Sequence, residues 1–317
     1  MSRIHEALKR AEQQRTVPVG PPPPLADDFQ DRVAVETDAP PAAEPRSVNI
    51  APPELVDPLS QTAAGDLRSR AAEFLRFEDV WTQCANPGWK LNLDRNVFSD
   101  PTAPPSVREQ FRTLRSRLYQ IRDKQPLRTV LVTSSLPGEG KTFVANNLAH
   151  ALARQQNCRV LLIDADLRRP DLHVGFGAPC SPGLTEYLKG EASELNVIQR
   201  GIPEYLCLIA GGNKADSPAE LLSNGRLRSL LQMIGPVFDW VILDSPPALA
   251  VSDAMTLAET CDGVLTVVRA AQTGFDTAQK SCQQLREKNL LGVALNCSEE
   301  PSAFRSYYGE DAQEAVN

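Results

Sequence analysis

Short apolar runs alternate with stretches of helical periodicity through the second half of the chain. Six runs have the near-continuous apolar character of strands that are buried on both faces of a parallel sheet. They are residues 129–133, 159–163, 206–210, 240–243, 263–268 and 291–295. Residues 218–233 and 273–287, between these runs, carry apolar residues at helical spacing. The alternation predicts an α/β fold with a mostly parallel sheet flanked by helices on both faces.

A further helix is predicted directly before the first strand. Its apolar positions recur every three or four residues and so form one stripe; they are Val107, Phe111, Leu114, Leu118 and Ile121. Glu109, Arg112 and Arg115 project from the other faces. Ser106 and Glu109 also have the spacing of a capping box, which is one explanation for the glutamate.

The first hundred residues have a different character. Ile4, Leu8 and Ala11 form a small amphipathic stripe that predicts a helix over residues 1–16. More than half of the 26 prolines precede residue 106, so residues 17–105 are predicted to be a Pro-rich, mostly disordered linker. The folded domain is then expected over residues 106–299, followed by a C-terminal tail over residues 300–317.

Composition excludes several classes of protein. The net charge of −7 and the sequence pI of about 5.2 give no electrostatic footprint for nucleic acid. No apolar run approaches the roughly 18 residues that cross a bilayer, and the first 15 residues are too charged for a signal peptide. The seven cysteines show no paired metal-binding spacing, as expected for a reducing cytosol. A cytoplasmic protein with no membrane span of its own is predicted.

Residues 134–142 read SSLPGEGKT and lie between the first predicted strand and a helical pattern. A strand, a glycine-bearing loop ending in Gly-Lys-Thr and a helix form a phosphate-binding P-loop, although Ser135 stands where the strict motif has glycine. Backbone N–H groups of such a loop surround phosphate oxygens, and the helix N-terminus adds partial positive charge. The residues expected to bind the nucleotide are Pro137, Gly138, Glu139, Gly140, Lys141, Thr142 and Phe143.

Two other predicted strands end in acidic residues. The second strand leads into Asp164 and Asp166, and the fourth leads into Asp244. Ligands of parallel sheets bind outside the carboxyl ends of the strands, so the three carboxylates are expected to face the P-loop. A nucleoside triphosphate carries Mg²⁺, which prefers oxygen ligands. Aspartates at strand ends also serve as helix caps and turn formers, which remains the alternative for each of them.

The strings SSLPGEGKT, LLIDADLRRP and WVILDSPP, in this order and spacing, resemble the Walker A, Walker A′ and Walker B motifs of the bacterial tyrosine kinases. The resemblance spans roughly residues 106–308. It implies a P-loop NTPase fold that uses ATP and Mg²⁺, with Lys141, Asp164 and Asp166 as catalytic residues. Thr142, Asp164 and Asp244 are then implied as the residues that organise the metal. Asp164 is the family's candidate for receiving the tyrosine proton.

The resemblance also implies how the protein works in the cell. It predicts a tyrosine autokinase that regulates the assembly and export of a bacterial exopolysaccharide or capsule. The Glu109-x-x-Arg112-x-x-Arg115 pattern is implied as the interface of a ring-like homo-oligomer, and Tyr307 and Tyr308 are implied as phosphoacceptors. Without a fused transmembrane regulator, the kinase is expected to be recruited to the inner face of the plasma membrane by a separate membrane-embedded chain-length regulator, the polysaccharide co-polymerase.

Two other functions remain open at this point. The deviant Walker A ATPases, which position plasmids and division sites, use the same scaffold but carry a signature lysine where this chain has Leu136. A scaffold that binds nucleotide only to assemble a polysaccharide export complex is the non-enzymatic alternative. Phosphotyrosine in the C-terminal peptide would separate the kinase from both.

Overall fold

A seven-stranded sheet forms the centre of this computed structural model, which describes residues 76–298. The strand order is β3-β4-β2-β5-β1-β6-β7, and every neighbouring pair is parallel except the antiparallel pair β3 and β4. The strands are β1 (Thr129–Ser134), β2 (Val160–Asp164), β3 (Ile198–Arg200), β4 (Leu206–Ile209), β5 (Trp240–Asp244), β6 (Gly263–Arg269) and β7 (Leu290–Asn296). The predicted α/β fold with a mostly parallel sheet is confirmed, and short β3 is the one strand here that we did not predict.

Helices lie on both sides of this sheet. They are α1 (Phe77–Gln83), α2 (Pro105–Arg122), α3 (Lys141–Ala153), α4 (Leu172–Phe176), α5 (Leu184–Lys189), α6 (Glu194–Val197), α7 (Pro218–Ser223), α8 (Arg226–Ile234), α9 (Asp253–Ala258) and α10 (Phe275–Leu285). The helical pattern over residues 218–233 is two helices, because Gly225 adopts a positive φ of 83° between them. Across residues 76–298, none of the helices has both the length and the apolar content that a bilayer-spanning segment needs.

The sheet separates two hydrophobic clusters, because successive strand residues point to opposite faces. Leu161 and Ile163 of β2 enter one cluster, whereas Val160 and Leu162 enter the other. Helix α3 packs in the second cluster, and every residue from Val144 to Ala153 is buried. A helix that is buried on all sides cannot shift easily, so the P-loop in front of α3 has a rigid support.

Residues 76–104 correct the predicted linker over residues 17–105. Phe77 and Val80 of α1 are buried in the first cluster, and Trp89 and Val97 are buried in the second. The backbone of Ala85 also pairs with β3 through hydrogen bonds to Ile198 and Arg200. This part of the predicted linker is therefore folded onto the domain. The predicted helix over residues 1–16, the predicted linker up to residue 75, the last residue of the predicted domain and the predicted tail over residues 300–317 lie outside the described residues.

Candidate functional site

The loop between β1 and α3 has the backbone that a phosphate-binding loop requires. Gly138 and Gly140 have φ angles of 83° and 90°, in the left-handed region that glycine tolerates best. A Cβ atom on Gly140 would also lie 2.1 Å from Nδ2 of Asn296. Glycine is therefore required at position 140, both for the positive φ and to leave room for the Asn296 side chain. Helix α3 begins at Lys141, so its free backbone N–H groups lie beside the loop.

The lysine and two of the predicted acids meet in front of this helix. Lys141 Nζ lies 2.9 Å from Asp166 Oδ2 and 3.5 Å from Asp244 Oδ2. Burial alone lowers the pKa of Lys141, but the carboxylates of Asp244 and Asp166 outweigh it and hold that pKa above its ordinary value. The ammonium group is therefore charged and is held between the second and fifth strands.

Asp244 and Thr142 form the part of the site that suits a divalent cation. The Thr142 hydroxyl donates to Asp244 Oδ2 at 2.6 Å. Asp244 Oδ1 is buried and accepts no hydrogen bond from the described residues. Burial raises the pKa of Asp244, partly offset by Lys141. A buried carboxylate oxygen without a partner, beside a hydroxyl at a helix N-terminus, fits the oxygen ligands that Mg²⁺ takes beside nucleotide phosphates.

Asp164 lies next to Asp244, because the two residues are paired in the register of β2 and β5. Its Oδ2 accepts hydrogen bonds from the backbone N–H groups of Asp171 and Leu172, both at 3.0 Å. The side chain is fully buried, and burial together with the neighbouring charge of Asp244 raises the pKa of Asp164 to about 8. A carboxyl group with a pKa near neutrality can exchange a proton with a substrate hydroxyl.

A cavity of about 770 Å³ opens over these groups. Six of the seven predicted nucleotide-binding residues line it, with Glu139 as the exception. Other lining residues were not predicted as site residues; they include Arg95, Asn146, Asp171, Gly175, Pro246, Pro247 and Val251. The cavity is thus wider than the phosphate cradle alone and extends along the loops after β2 and β5.

Glu139 does not line the cavity but stabilises the P-loop through hydrogen bonds. Its carboxylate is buried and accepts a hydrogen bond from the backbone N–H of Leu136 at 2.6 Å and another from the Thr273 hydroxyl. Nδ2 of Asn296, at the end of β7, donates to the Glu139 carbonyl at 2.9 Å and so supports the P-loop. These contacts connect the P-loop to the ends of β6 and β7.

Removing this support should weaken nucleotide binding. The change Glu139→Ala leaves the Leu136 N–H and the Thr273 hydroxyl without their acceptor, so we expect ATP affinity to fall about 3- to 10-fold, the equivalent of about one net hydrogen bond. Glu139→Gln keeps one acceptor oxygen and should lose less. Calorimetric titration of ATP into both variants measures the difference. Equal affinity in the alanine variant and the wild type would show that the loop holds its shape without Glu139.

Two loop arginines after Asp166 also reach the cavity. Arg168 donates two hydrogen bonds to Asp253, at 2.8 and 3.0 Å, and the Asp253 side chain is fully buried. Arg168 is therefore directed toward α9 by a bidentate ion pair. Arg169 is exposed and lines the same opening.

The predicted interface residues lie on α2. Arg112 is exposed, Glu109 is partly exposed, and the two form an ion pair at 2.9 Å. The helix begins after Pro104 and has no side-chain cap, so the predicted capping box is absent. Arg115 Nη1 donates to the carbonyl oxygen of Ala151 in α3 at 2.8 Å. The predicted acceptors Tyr307 and Tyr308 fall outside the described residues.

Comparison with known proteins places this site in a family. Residues 127–290 match the family model described as an AAA domain. The chain is 37% identical over 207 residues to tyrosine-protein kinase YwqD of Bacillus subtilis. The aligned region covers 64% of this chain and 86% of that protein. It is 36% identical over 219 residues to putative tyrosine-protein kinase EpsB of Ralstonia nicotianae, covering 68% of this chain but only 28% of that protein.

A solved structure agrees with these matches. The kinase domain of the Escherichia coli tyrosine kinase ETK superimposes with a TM-score of 0.58 at 34% identity, covering 61% of this chain and 76% of that chain. The strand order, the P-loop with its three acids, and the relatives agree with one another. The chain belongs to the family of bacterial tyrosine kinases.

Proposed function

We propose that this chain is an ATP- and Mg²⁺-dependent protein-tyrosine autokinase that regulates the assembly and export of a bacterial surface polysaccharide. The observation that carries the proposal is the convergence of Lys141, Thr142, Asp166 and Asp244 at the P-loop. Phosphoryl transfer asks a protein mainly to position the reactants and to neutralise charge, and these groups supply both. The polysaccharide setting rests on the family alone.

Each residue has a distinct role in this proposal. The P-loop backbone holds the triphosphate, and Lys141 neutralises charge on the β- and γ-phosphates. Thr142, Asp164 and Asp244 would hold Mg²⁺, which supplies further charge neutralisation when bound. Asp166 orients Lys141 through the 2.9 Å ion pair. Asp164 is the group that accepts the proton from the tyrosine hydroxyl.

The acceptors are Tyr307 and Tyr308. Only five tyrosines occur in the chain, and the other three are Tyr119, Tyr187 and Tyr205. The Tyr119 hydroxyl accepts a hydrogen bond from Trp240 Nε1 at 3.1 Å, and the Tyr187 side chain is buried. Tyr205 packs against the ring of Phe77. A tyrosine held in this way cannot enter an active site, which leaves the two tail residues.

Assembly follows from the family resemblance. Glu109, Arg112 and Arg115 of α2 would form the interface of a ring-like homo-oligomer in which each tail reaches a neighbouring site. A separate membrane-embedded chain-length regulator would recruit the otherwise cytoplasmic kinase to the inner face of the plasma membrane. Phosphate added beside Glu310 and Asp311 increases the negative charge of the tail and opposes its return to the pocket.

Mass spectrometry of the C-terminal peptide tests the proposal. Purified protein incubated with Mg²⁺ and ATP is expected to carry phosphate on Tyr307 or Tyr308. The double change Tyr307→Phe and Tyr308→Phe should remove tyrosine phosphate while leaving ATP binding unchanged, whereas Tyr205→Phe, the matched control, should keep it. ATP hydrolysis without phosphotyrosine would instead identify a positioning-type ATPase. ATP-dependent assembly without turnover would identify a scaffold.

A further inference from the structure

Arg95 enters the catalytic cavity from outside the predicted kinase domain. It ends a short 3₁₀ turn, Leu93–Arg95, that belongs to the folded part of the predicted linker. Its side chain lines the same cavity as Lys141 and Thr142. No sequence motif of the site includes it.

The backbone around Arg95 is held firmly by the P-loop helix. The side-chain amides of Asn146 and Asn147 donate to the Arg95 carbonyl oxygen at 2.8 and 3.0 Å. Asn147 also accepts from the backbone N–H of Val97 at 2.9 Å. Both asparagines are buried, so these bonds form out of contact with water. The turn is therefore a fixed part of α3's surroundings.

The next residue strengthens the attachment. Nδ2 of Asn96 lies 2.7 Å from Nε2 of His150, and both side chains are fully buried. Burial lowers the pKa of His150 to about 4, so the ring is neutral and can accept this hydrogen bond. Three consecutive residues, 95 to 97, are thus bound to α3.

From this fixed turn, the Arg95 side chain reaches the loop after β2. Its guanidinium group forms an ion pair with the carboxylate of Asp171. The backbone N–H of Asp171 and that of Leu172 donate to Asp164 Oδ2. A continuous chain of contacts therefore runs from α3 through Arg95 and Asp171 to the buried acid.

We propose that Arg95 is a positioning residue for Asp164: by fixing the turn at Asp171 and Leu172, it holds Asp164 Oδ2 against two backbone amides. The other oxygen, Oδ1, accepts one long hydrogen bond of 3.3 Å from the Asp166 N–H. Oδ1 is therefore the oxygen available to the tyrosine proton or to the metal. The inference rests on the proposed function and assigns the segment before the kinase domain to the active site.

The ion pair between Arg95 and Asp171 is expected to contribute little to the free energy of unfolding. The side chains of Arg95 and Asp171 are 39% and 45% exposed, and exposed pairs contribute little to folding. A change of geometry at Asp164 matters more: losing a group that directly contacts a metal ligand typically costs 10- to 100-fold in metal affinity or activity, and Arg95, one contact further out, is expected to reach the lower end of that range. Loss of Arg95 should therefore affect the reaction and leave the melting temperature almost unchanged.

The test uses the whole chain with three variants: Arg95→Gln, Asp171→Asn and the two combined. We expect each single change to lower the rate constant of autophosphorylation about tenfold, and to raise the KM for ATP by no more than the loss of Mg²⁺-dependent nucleotide affinity. Each should also reduce the gain in ADP affinity that Mg²⁺ provides, measured by calorimetry with and without Mg²⁺. Arg95→Lys should restore part of both, because lysine keeps the charge but not the fork of donors.

The double variant and a surface control make the outcome decisive. Because both residues act through one contact, the combined change should be no worse than either single change. Lys90→Gln, at an exposed lysine five residues upstream, should behave as wild type. Additive losses, or Arg95→Gln equal to Lys90→Gln, would overturn the inference. If the wild type itself forms no phosphotyrosine, the proposed function fails, and the Mg²⁺-dependent part of ADP binding alone decides the role of Arg95.

Discussion

Replacing Lys141 by methionine is expected to lower tyrosine phosphorylation by about 100- to 1000-fold. The ammonium group lies 2.9 Å from Asp166 and 3.5 Å from Asp244, and methionine fills similar space without the charge. Negative charge on the transferring phosphoryl group would then face carboxylates with no cation of the protein between them. Incorporation of labelled phosphate from ATP, followed by detection of phosphotyrosine, measures the loss.

The control for this prediction is Lys189→Met, which removes a lysine from the exposed end of α5. It should phosphorylate at the wild-type rate. Circular dichroism and the melting temperature of Lys141→Met show whether the variant is folded, so that inactivity has one cause. Unchanged tyrosine labelling in a folded Lys141→Met protein would refute this catalytic site.

The parts of the site that the sequence predicted share one property: each motif consists of residues that are close together along the chain. A strand, a turn and a helix start occur within a few residues, and parallel strands bring their carboxyl ends to one edge. The sequence alone therefore predicts that Lys141, Asp164, Asp166 and Asp244 lie together. The six predicted strands were confirmed for the same reason, since burial on both faces leaves a continuous apolar run.

The residues that the sequence did not reveal act across long separations. Arg95 forms an ion pair with Asp171, 76 positions along the chain. Asn146 binds Arg95 through the backbone carbonyl of Arg95, a contact that any residue type could make and that the sequence therefore does not indicate. In the sequence, Glu139 is one of several P-loop residues with no distinct role. Its role as a support of the loop depends on the hydrogen bond from the Thr273 hydroxyl, which only the structure shows. Residues 76–104 resemble linker in sequence because prolines dominate the region before them. Of their buried anchors, Phe77 and Val80 have helical spacing but belong to one seven-residue helix, and Trp89 and Val97 are eight residues apart with no periodic pattern between them.

The second large effect is expected from Asp164→Asn, which should abolish activity while stabilising the protein in the absence of nucleotide. Burial beside Asp244 raises the pKa of Asp164 to about 8, above the value of about 4 expected in an unfolded chain. The folded protein thus keeps a proton at pH 7 that the unfolded chain releases. This group favours folding fully below about pH 4, and that contribution is lost as the pH rises toward 8.

Asparagine removes this dependence on pH and keeps the two hydrogen bonds that Oδ2 accepts. Its amide oxygen can accept from the N–H groups of Asp171 and Leu172, and it cannot ionise in either state. We expect the free energy of unfolding at pH 7 to rise by about 2 kcal/mol, with the largest difference from wild type near pH 8 and almost none near pH 4. Phosphorylation should fall by at least about 100-fold, because bound Mg²⁺ would lower the pKa of the Asp164 carboxyl group and ionise it, whereas asparagine supplies neither a charged metal ligand nor a proton acceptor.

Urea unfolding of both proteins at several pH values between 4 and 8 measures the gain. His150 opposes the trend, because its pKa of about 4 makes the protein less stable as the pH falls below about 6.5, the value for free histidine. That contribution is common to wild type and variant and cancels in their difference. Asp216→Asn, at an exposed loop position, should give a difference that does not change with pH. If Asp164→Asn instead lowered stability at pH 7, the carboxyl group would be ionised in the folded protein, held by the two amides more strongly than burial penalises it.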